Sequence, residues 1–322
     1  MRSDASTSRK PRIYFWIGPN HRSSSVIEDL MPIAPKQVRS YPKKLHKSLR
    51  RLRQELSAER VHQLRTRTRR MEAMIHALAL DSRKNERRLL KAIKPVRKRA
   101  GKVRDLDVFS DFASQPQLDG ETECFNRLLE YLRNQRQRYG RKLQKVAANR
   151  SPQIGKRLKR CGKYLDRALH AGSNTGKKWS VEAAALALQL QGELRDWPAL
   201  NRENLHPFRL KVKELRYVLQ MAAASDREFV AVLGKVKDAA GEWHDWEELS
   251  GIAAEVSQHR GCDLLKQIRS TAERKLQHAL TLANRMRKQD LARSSRRQRT
   301  RAAGKANSSV PLALKSASSL AA

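Results

Sequence analysis

The sequence predicts an all-α protein, and composition and periodicity are the two observations behind this prediction. Only 14 glycines and 11 prolines occur in 322 residues, and the chain is dominated by Leu, Ala, Arg, Lys, Gln and Glu, which favour helices. Runs of Val, Ile and Thr are absent, so we predict no β-strands. Apolar residues at three- and four-residue spacing predict helices near residues 42–57, 59–79, 84–113, 121–148, 153–170, 180–195, 204–223, 226–256 and 262–288.

These helices form one predicted domain, residues 42–288, with a segment on either side. Residues 1–41 mix Ser, Pro and Arg with isolated apolar residues, and residues 289–322 are basic and rich in Ser and Ala, so we expect both to be flexible. The tail is either a solvated appendage or an electrostatic tether. Ser151-Pro152 is typical of a helix start, and Gly172 to Gly176 of a linker. The predicted repeats are therefore about 42–148 and 153–288.

The charge of the chain predicts a polyanionic partner. Lys and Arg number 69 against 32 Asp and Glu, which gives a formal net charge of +37. Residues 44–284 alone keep a net charge of about +23, so the terminal segments do not explain the excess. Nucleic acid, polyphosphate and an anionic membrane surface all fit such a charge. Aromatic residues make up only 5% of the chain and do not cluster with basic residues, which argues against stacking on single-stranded bases.

Cysteine usage and hydropathy exclude several other classes of protein. Cys124, Cys161 and Cys262 lie far apart without a Cys-x-x-Cys pair, so we expect neither disulfides nor a structural zinc site, and a reducing cytoplasm is the default location. The longest N-terminal apolar run, Ile13 to Ile17, is too short for a secretory segment or a membrane span. No motif indicates a cofactor, and the oligomeric state is left open.

A stripe of charged residues beside a stripe of apolar residues occurs twice. In the helix at 59–79, His62, Arg65 and Arg69 each follow the apolar stripe by one residue, and 144 residues later His206, Arg209 and Lys213 do the same. A shift of one residue is about 100° around a helix, so the charges lie at the edge of the buried face. Such a repeat predicts a duplicated helical unit. The two apolar stripes are Val61, Leu64, Met71, Ile75 and Leu78, and Leu205, Phe208, Val212, Leu215 and Leu219.

The helix that follows each stripe also repeats, with Gly101 to Asp107 matching Gly241 to Glu247. A glycine inside a helix costs about 1 kcal/mol relative to alanine, so its recurrence predicts two helices in close approach at each glycine. We interpret Asp105 and Asp245 as ion-pair partners of neighbouring basic side chains. The basic residues that share a face with the glycines are Lys94, Arg97 and Arg104 in the first copy and Lys237 and His244 in the second.

These motifs resemble those of the conserved-histidine α-helical domain (CHAD) family. The resemblance lies in VHQLRTRTRRM at 61–71, LHPFRLKVKELRY at 205–217 and KVRDLDVF at 102–109, and it covers roughly residues 42–288. It implies two four-helix bundle units related by pseudo-twofold symmetry around a basic central cavity. It also implies binding of inorganic polyphosphate and association with polyphosphate granules. Glu72 and Glu214 depart from the family's basic pattern, whereas Arg70 and Arg216 keep the corresponding position in the other copy.

The residues suit this ligand because polyphosphate presents closely spaced charges and no bases, and arginine offers a planar fork for two oxygens. The candidate polyphosphate-binding residues are His62, Arg65, Arg69, Arg70, Lys94, Arg97, Arg104, His206, Arg209, Lys213, Arg216, Lys237 and His244.

Other interpretations of these residues remain open. His62 and His206 are either phosphate donors or neutral hydrogen-bonding residues at the margin of the core, and metal ligation is the weakest option. The charged stripes could be solvated faces, although matched positions in two copies favour a shared site. The alternative function is non-specific nucleic-acid binding by the same surface.

We do not expect an enzyme, because the chain has no Gly-rich phosphate loop and no nucleophile with an evident base. The acids nearest the stripes are Asp105, Asp107, Asp245 and Glu247. His46, Arg50 and Arg53 are interpreted as a coat on the first helix, and Trp243 and Trp246 as packing residues.

Overall fold

The computed structural model describes residues 32–115, 122–170, 174–223, 226–257 and 262–291. Within these ranges the chain forms eight α-helices and no β-strand, apart from one antiparallel bridge between Ile33 and Ala222. The predicted all-α class is confirmed. None of the described helices combines the length and the apolar composition needed to cross a membrane.

The helices are α1 (Pro35–Gln54), α2 (Ala58–Ala77), α3 (Lys84–Ala113), α4 (Thr122–Ala168), α5 (Asn174–Arg195), α6 (Arg202–Leu219), α7 (Arg227–Val256) and α8 (Asp263–Arg285). A short 3-10 helix, Leu80–Ser82, precedes α3, and a π-helical segment, Met286–Leu291, extends α8. Side chains of Ser57, Asn201 and Asp226 cap the first turns of α2, α6 and α7 by accepting hydrogen bonds from backbone N–H groups.

Neighbours in the chain are also neighbours in space. Helix α1 packs against α2 and α4, and α3 packs against α2 and α4; in the second half α6 packs against α5 and α7, and α7 against α8. Contacts of α2 with α6 and of α3 with α7 join the two halves. The helices therefore divide four and four along the chain, while the pseudo-twofold relation between the halves stays a prediction.

Two clusters of apolar side chains form the core. The larger one runs through both halves and includes Leu45, Met71 and Phe208, which are at most 2% exposed. The smaller one lies where the C-terminal half of α3 meets α7 and α8, and its Trp246 stacks on Phe112 with ring centroids 4.6 Å apart. Trp243 and Trp246 are 3% and 1% exposed, so their predicted role in packing is confirmed.

The first helix begins earlier than predicted, at Pro35 instead of near residue 42. Residues 32–34 are extended and pair with the chain after α6, since Ala34 N–H donates to Met221 O at 2.8 Å and Ala223 N–H donates to Pro32 O at 2.7 Å. This pairing and the complete burial of Val38 order a stretch that looks irregular in composition. Part of the segment predicted to be flexible, residues 35–41, is therefore helical; residues 1–31 lie outside the described part of the chain.

The prediction of a helix break at Ser151-Pro152 is wrong. Helix α4 continues through Pro152 for 47 residues, so the predicted repeat boundary lies inside a helix. Proline removes one backbone donor, but buried residues of one face, among them Ala147, Ile154 and Leu158, continue across it. The Ser151 hydroxyl donates to Ala147 O at 2.6 Å, inside the same helix. Packing on both sides outweighs the cost of the proline.

The remaining differences concern helix ends. Helix α5 starts at Asn174, so Gly176 of the predicted linker is helical, and α6 ends at Leu219, four residues before the predicted end. The π-helical segment carries the last helix to Leu291, beyond the predicted residue 288. Residues 116–120, between two of the predicted helices, and the tail from 292 onward lie outside the described residues.

Candidate functional site

The duplicated stripes meet where α2 contacts α6 and α3 contacts α7. The apolar stripes are buried, so the charged stripes lie at the edges of this junction. Most of the charged side chains are partly exposed. The stripe residues with no exposed surface are Val61, Leu64, Met71, Ile75, Leu205, Phe208, Val212 and Leu215.

Lys213 lies among cations that both halves of the chain contribute. Burial lowers the pKa of its amine most, and the charges of Arg65, Arg69, Arg209 and Lys237 lower it further, to about 6. We call these five residues the basic cluster. Since their charges come from α2, α6 and α7, the structure brings together residues that are up to 172 positions apart in the sequence.

Arg209 is the most constrained cation of the cluster. Its Nε donates to Lys237 O at 3.3 Å, and its guanidinium lies against Gly241 so closely that an added Cβ would be 2.6 Å from Nη2. Burial lowers the pKa of Arg209, although Asp245 opposes this effect. The guanidinium therefore lies on the backbone of α7, and only glycine leaves room for it there.

Arg65 occupies the matching position in the first copy. A Cβ added at Gly101 would be 3.7 Å from its Nε, which is ordinary contact. In both copies the atoms nearest to a Cβ at the glycine belong to the arginine side chain, so the glycine makes room for a guanidinium, and the close approach of two helices stays a prediction. The sequence showed the glycine twice but not which atoms fill the space beside it.

Two carboxylates lie beside the basic cluster. Asp105 Oδ1 is 3.7 Å from Arg65 Nη2. Burial raises the pKa of Asp105, and the charge of Asp245 raises it further, whereas Arg65 and His244 lower it. The charges of Asp105 on α3 and Asp245 on α7 thus act on each other across the junction, and Arg65 offsets part of this repulsion.

The histidines of the two copies have different environments. The rings of His206 and His244 lie 4.1 Å apart and tilted by 33°. Burial lowers the pKa of His206 most and His244 second, to about 4. His62 is more exposed; burial and then the charge of Arg104 lower its pKa as well. His62 and His206 lie near cations, and the described residues contain no group of three or more side chains suited to hold a metal ion.

Glu72, one of the departures from the basic pattern, is an ion-pair partner. It is 17% exposed, and its Oε1 lies 2.7 Å from Arg97 Nε. Its Oε2 lies 3.8 Å from Arg69 Nη1. Burial lowers the pKa of Arg69, with Arg97 adding to the effect and Glu72 opposing it. Glu72 therefore holds Arg69 and Arg97 near each other, and its negative charge offsets part of their positive charge.

Two tyrosines accompany the arginines, and the sequence interpretation missed them. Burial raises the pKa of Tyr217, against the lowering effects of Arg70, Arg69, Arg65 and Arg216 in decreasing order. Burial also raises the pKa of Tyr41 on α1, with Arg70 opposing it. Tyr217 follows Lys213 by four residues, so the same spacing that identified the stripe could have included it.

Arg216 and Lys94 complete the candidate set. Arg216 Nε would be 3.4 Å from a Cβ at Gly234, so it too lies against α7. Lys94 is exposed on α3, and its side chain forms no ion pair or hydrogen bond with any described residue. Of the candidates, Lys94 is the one that no described contact joins to the others.

Several nitrogen atoms at the junction have no acceptor among the described residues. His244 Nδ1 is 3.6 Å from Asp245 Oδ1, too far for a hydrogen bond. The water-inaccessible nitrogens without a hydrogen-bond partner include Arg69 Nε, Arg70 Nε, Arg216 Nε, His206 Nδ1 and His244 Nδ1. The arginine Nε groups are always donors, so burying them without an acceptor is costly in the free protein.

A scan against protein families matches the CHAD domain model over residues 36–254. The chain belongs to the CHAD domain family. The matched range begins at the second residue of α1 and ends two residues before the end of α7, so it contains both charged stripes. Searches of curated proteins and of solved structures found no match.

The half-buried Lys213 of this CHAD domain makes a testable contribution to the pH dependence of stability. The folded-state pKa of Lys213 is about 6, far below its ordinary value of 10.5. Between these values the unfolded chain binds the extra proton, so stability rises with pH. We expect the free energy of unfolding to rise between pH 7 and 9 by at most about 1.4 kcal/mol per pH unit from this group. Urea denaturation of wild type and Lys213→Met should show that the substitution removes this slope and stabilises the protein at pH 7.

Lys235→Met is the matched control, because Lys235 is an exposed lysine of α7. Its pH slope should equal that of the wild type. An unchanged slope in Lys213→Met would mean that the amine keeps its charge in the folded protein.

Proposed function

We propose that this CHAD domain binds inorganic polyphosphate at the basic cluster. The supporting observation is that Arg65 and Arg69 from one half and Arg209 and Lys237 from the other all act on Lys213, whose pKa is lowered to about 6 by burial first and then by these charges. The arginines and Lys237 repel one another in the free protein, and Lys213, with a pKa of about 6, is largely neutral at pH 7 until an anion favours its charged form. A ligand with closely spaced negative charges relieves that repulsion and gains charge-assisted hydrogen bonds.

The form of the cluster favours a thin, flexible polyanion over a duplex. The cations lie half-buried between α2, α6 and α7, and their stems are fixed by packing. A single phosphate chain can thread among such side chains, whereas a duplex needs cations on an outer surface or an element that enters a groove. Association with polyphosphate granules in the cytoplasm is part of the same proposal.

Competition separates polyphosphate from nucleic acid. Long-chain polyphosphate should bind the full chain at physiological salt and resist displacement by a tenfold excess of duplex DNA or RNA, counted as phosphate. Fluorescence anisotropy of labelled polyphosphate measures the displacement. Ready displacement by the duplex would favour the alternative, non-specific nucleic-acid binding through net charge.

Reversal of the two matched arginines tests whether the cluster is the site. Arg65→Glu with Arg209→Glu should weaken polyphosphate binding by about 100-fold or more, because each arginine contributes charge-assisted hydrogen bonds. Titration calorimetry measures the affinity, and circular dichroism checks that helicity is kept. Arg88→Glu with Arg274→Glu is the charge-matched control on exposed helix surface. Equal loss in the control, or in a pair such as Arg296→Glu with Arg297→Glu, would indicate diffuse electrostatics.

The glycine beside Arg209 offers a finer test that leaves every charge in place. In Gly241→Ala the new Cβ would lie 2.6 Å from Nη2 and 3.0 Å from Nε, so the guanidinium has to move. We expect polyphosphate affinity to fall by about tenfold, or about 1.4 kcal/mol. Gly101→Ala is the matched control, since its Cβ would meet Arg65 Nε at 3.7 Å. It should bind within about threefold of wild type; equal effects of the two alanines would contradict the assigned position of Arg209.

We also propose that binding occurs without turnover. Two of the acids nearest the stripes have other partners: Asp107, 6% exposed, accepts from Arg136 Nε at 2.8 Å, and Glu247 pairs with Arg202. Asp105 and Asp245 remain at the junction. Polyphosphate incubated with the protein and Mg²⁺ should keep its chain length on gels. Shortening that Asp105→Asn with Asp245→Asn abolishes would make the protein a metal-dependent hydrolase.

A further inference from the structure

A groove of about 820 Å³ lies between α1 and α4, on residues that the proposed polyphosphate site does not use. Its size is within the range of clefts that hold specific ligands. The lining residues run from 42 to 53 on α1 and from 151 to 166 on α4. At 1.5 Å per residue the walls are roughly 17 and 23 Å long, about three to four helical turns.

The floor of the groove is apolar and partly open. Pro42, Leu49 and Leu158 are buried along it. Two glycines of α4 also line it: a Cβ at Gly155 would lie 3.4 Å from His46 Nε2, and a Cβ at Gly162 would have nothing within 4 Å. The floor can therefore accept apolar side chains of an incoming segment.

The rim is basic on both sides. Its cations are Lys43, Arg50 and Arg53 on α1 and Lys156, Lys159 and Lys163 on α4. In the part of the chain that the structure describes, none of these six pairs with a carboxylate. Among the residues that the structure describes, Asp166 is the only acid that lines the groove, and its Oδ1 lies 3.4 Å from Arg39 Nε. The charge of the rim is thus uncompensated.

We propose that this groove binds an acidic amphipathic helix of a partner protein, with apolar side chains on the floor and carboxylates facing the two rows of cations. The length fits three to four turns, and helices commonly dock in such grooves through an apolar face. Polyphosphate has no apolar part to cover the floor. The segments of this chain outside the described residues at its two ends, 1–31 and 292–322, are net basic and have the wrong charge for the rim. This proposal is independent of polyphosphate binding.

The test uses the full chain and a labelled 14-residue peptide with leucines at positions 1, 4, 8 and 11 and glutamates on the flanks of that stripe. A scrambled peptide of the same composition is its control. Anisotropy should show binding of the patterned peptide and at least tenfold weaker binding of the scrambled one. No binding, or equal binding of both peptides, overturns the proposal.

Variants then locate the site. Lys159→Glu with Lys163→Glu should weaken peptide binding at least tenfold, and so should Gly162→Phe, whose Cβ would have nothing within 4 Å and whose ring is expected to occupy the groove. Arg160→Glu with Arg167→Glu is the matched control, because both arginines are exposed on α4 but do not line the groove. Circular dichroism checks the fold of each variant. Equal weakening in this control overturns the proposal.

Two further measurements separate other ligands. If Lys159→Glu with Lys163→Glu weakens binding of polyphosphate or of phosphatidylglycerol vesicles but leaves the peptide unaffected, the groove serves that ligand and the proposal fails. Arg65→Glu with Arg209→Glu should leave peptide affinity unchanged. A loss there would mean that the peptide binds at the basic cluster, which also overturns the proposal.

Discussion

The apolar contact between α2 and α6 is the interaction on which the candidate site depends. Leu64 and Phe208, from the two matched stripes, have no exposed surface. Because each cation follows its stripe by one residue, burying the stripes forces Arg65, Arg69, Arg209 and Lys213 together. The free energy of apolar burial thus holds cations at separations that they would not adopt by themselves. Asp105 reduces this repulsion without cancelling it.

Features repeated at helical spacing could be predicted from the sequence. The all-α class, the two charged stripes and the burial of their apolar partners follow from a three- and four-residue period, which local geometry determines. The continuity of α4 through Pro152 could not be predicted from the sequence, because the contacts that hold the helix together there form only after folding. The same holds for the start of α1, where pairing with distant residues orders a segment of irregular composition.

Within the site, the sequence indicated residue types but not which atoms meet. Gly241 was evident as a recurring glycine, yet its neighbour, the guanidinium of Arg209, depends on the packing of α6 on α7. Glu72 looked like a lost cation and is instead the partner of Arg97. The groove beside His46 was missed because its two walls, on α1 and α4, are about 100 residues apart in the sequence and become neighbours only after folding.

The pairing of residues 32–34 with the chain after α6 has a kinetic consequence. Its two hydrogen bonds close a loop of about 190 residues, and contacts of such separation form only after the intervening chain is ordered. During synthesis α1 leaves the ribosome long before Met221 and Ala223 exist. The first half of the chain therefore lacks these two hydrogen bonds until α6 has been synthesised. Residues 32–34 become fixed late in folding.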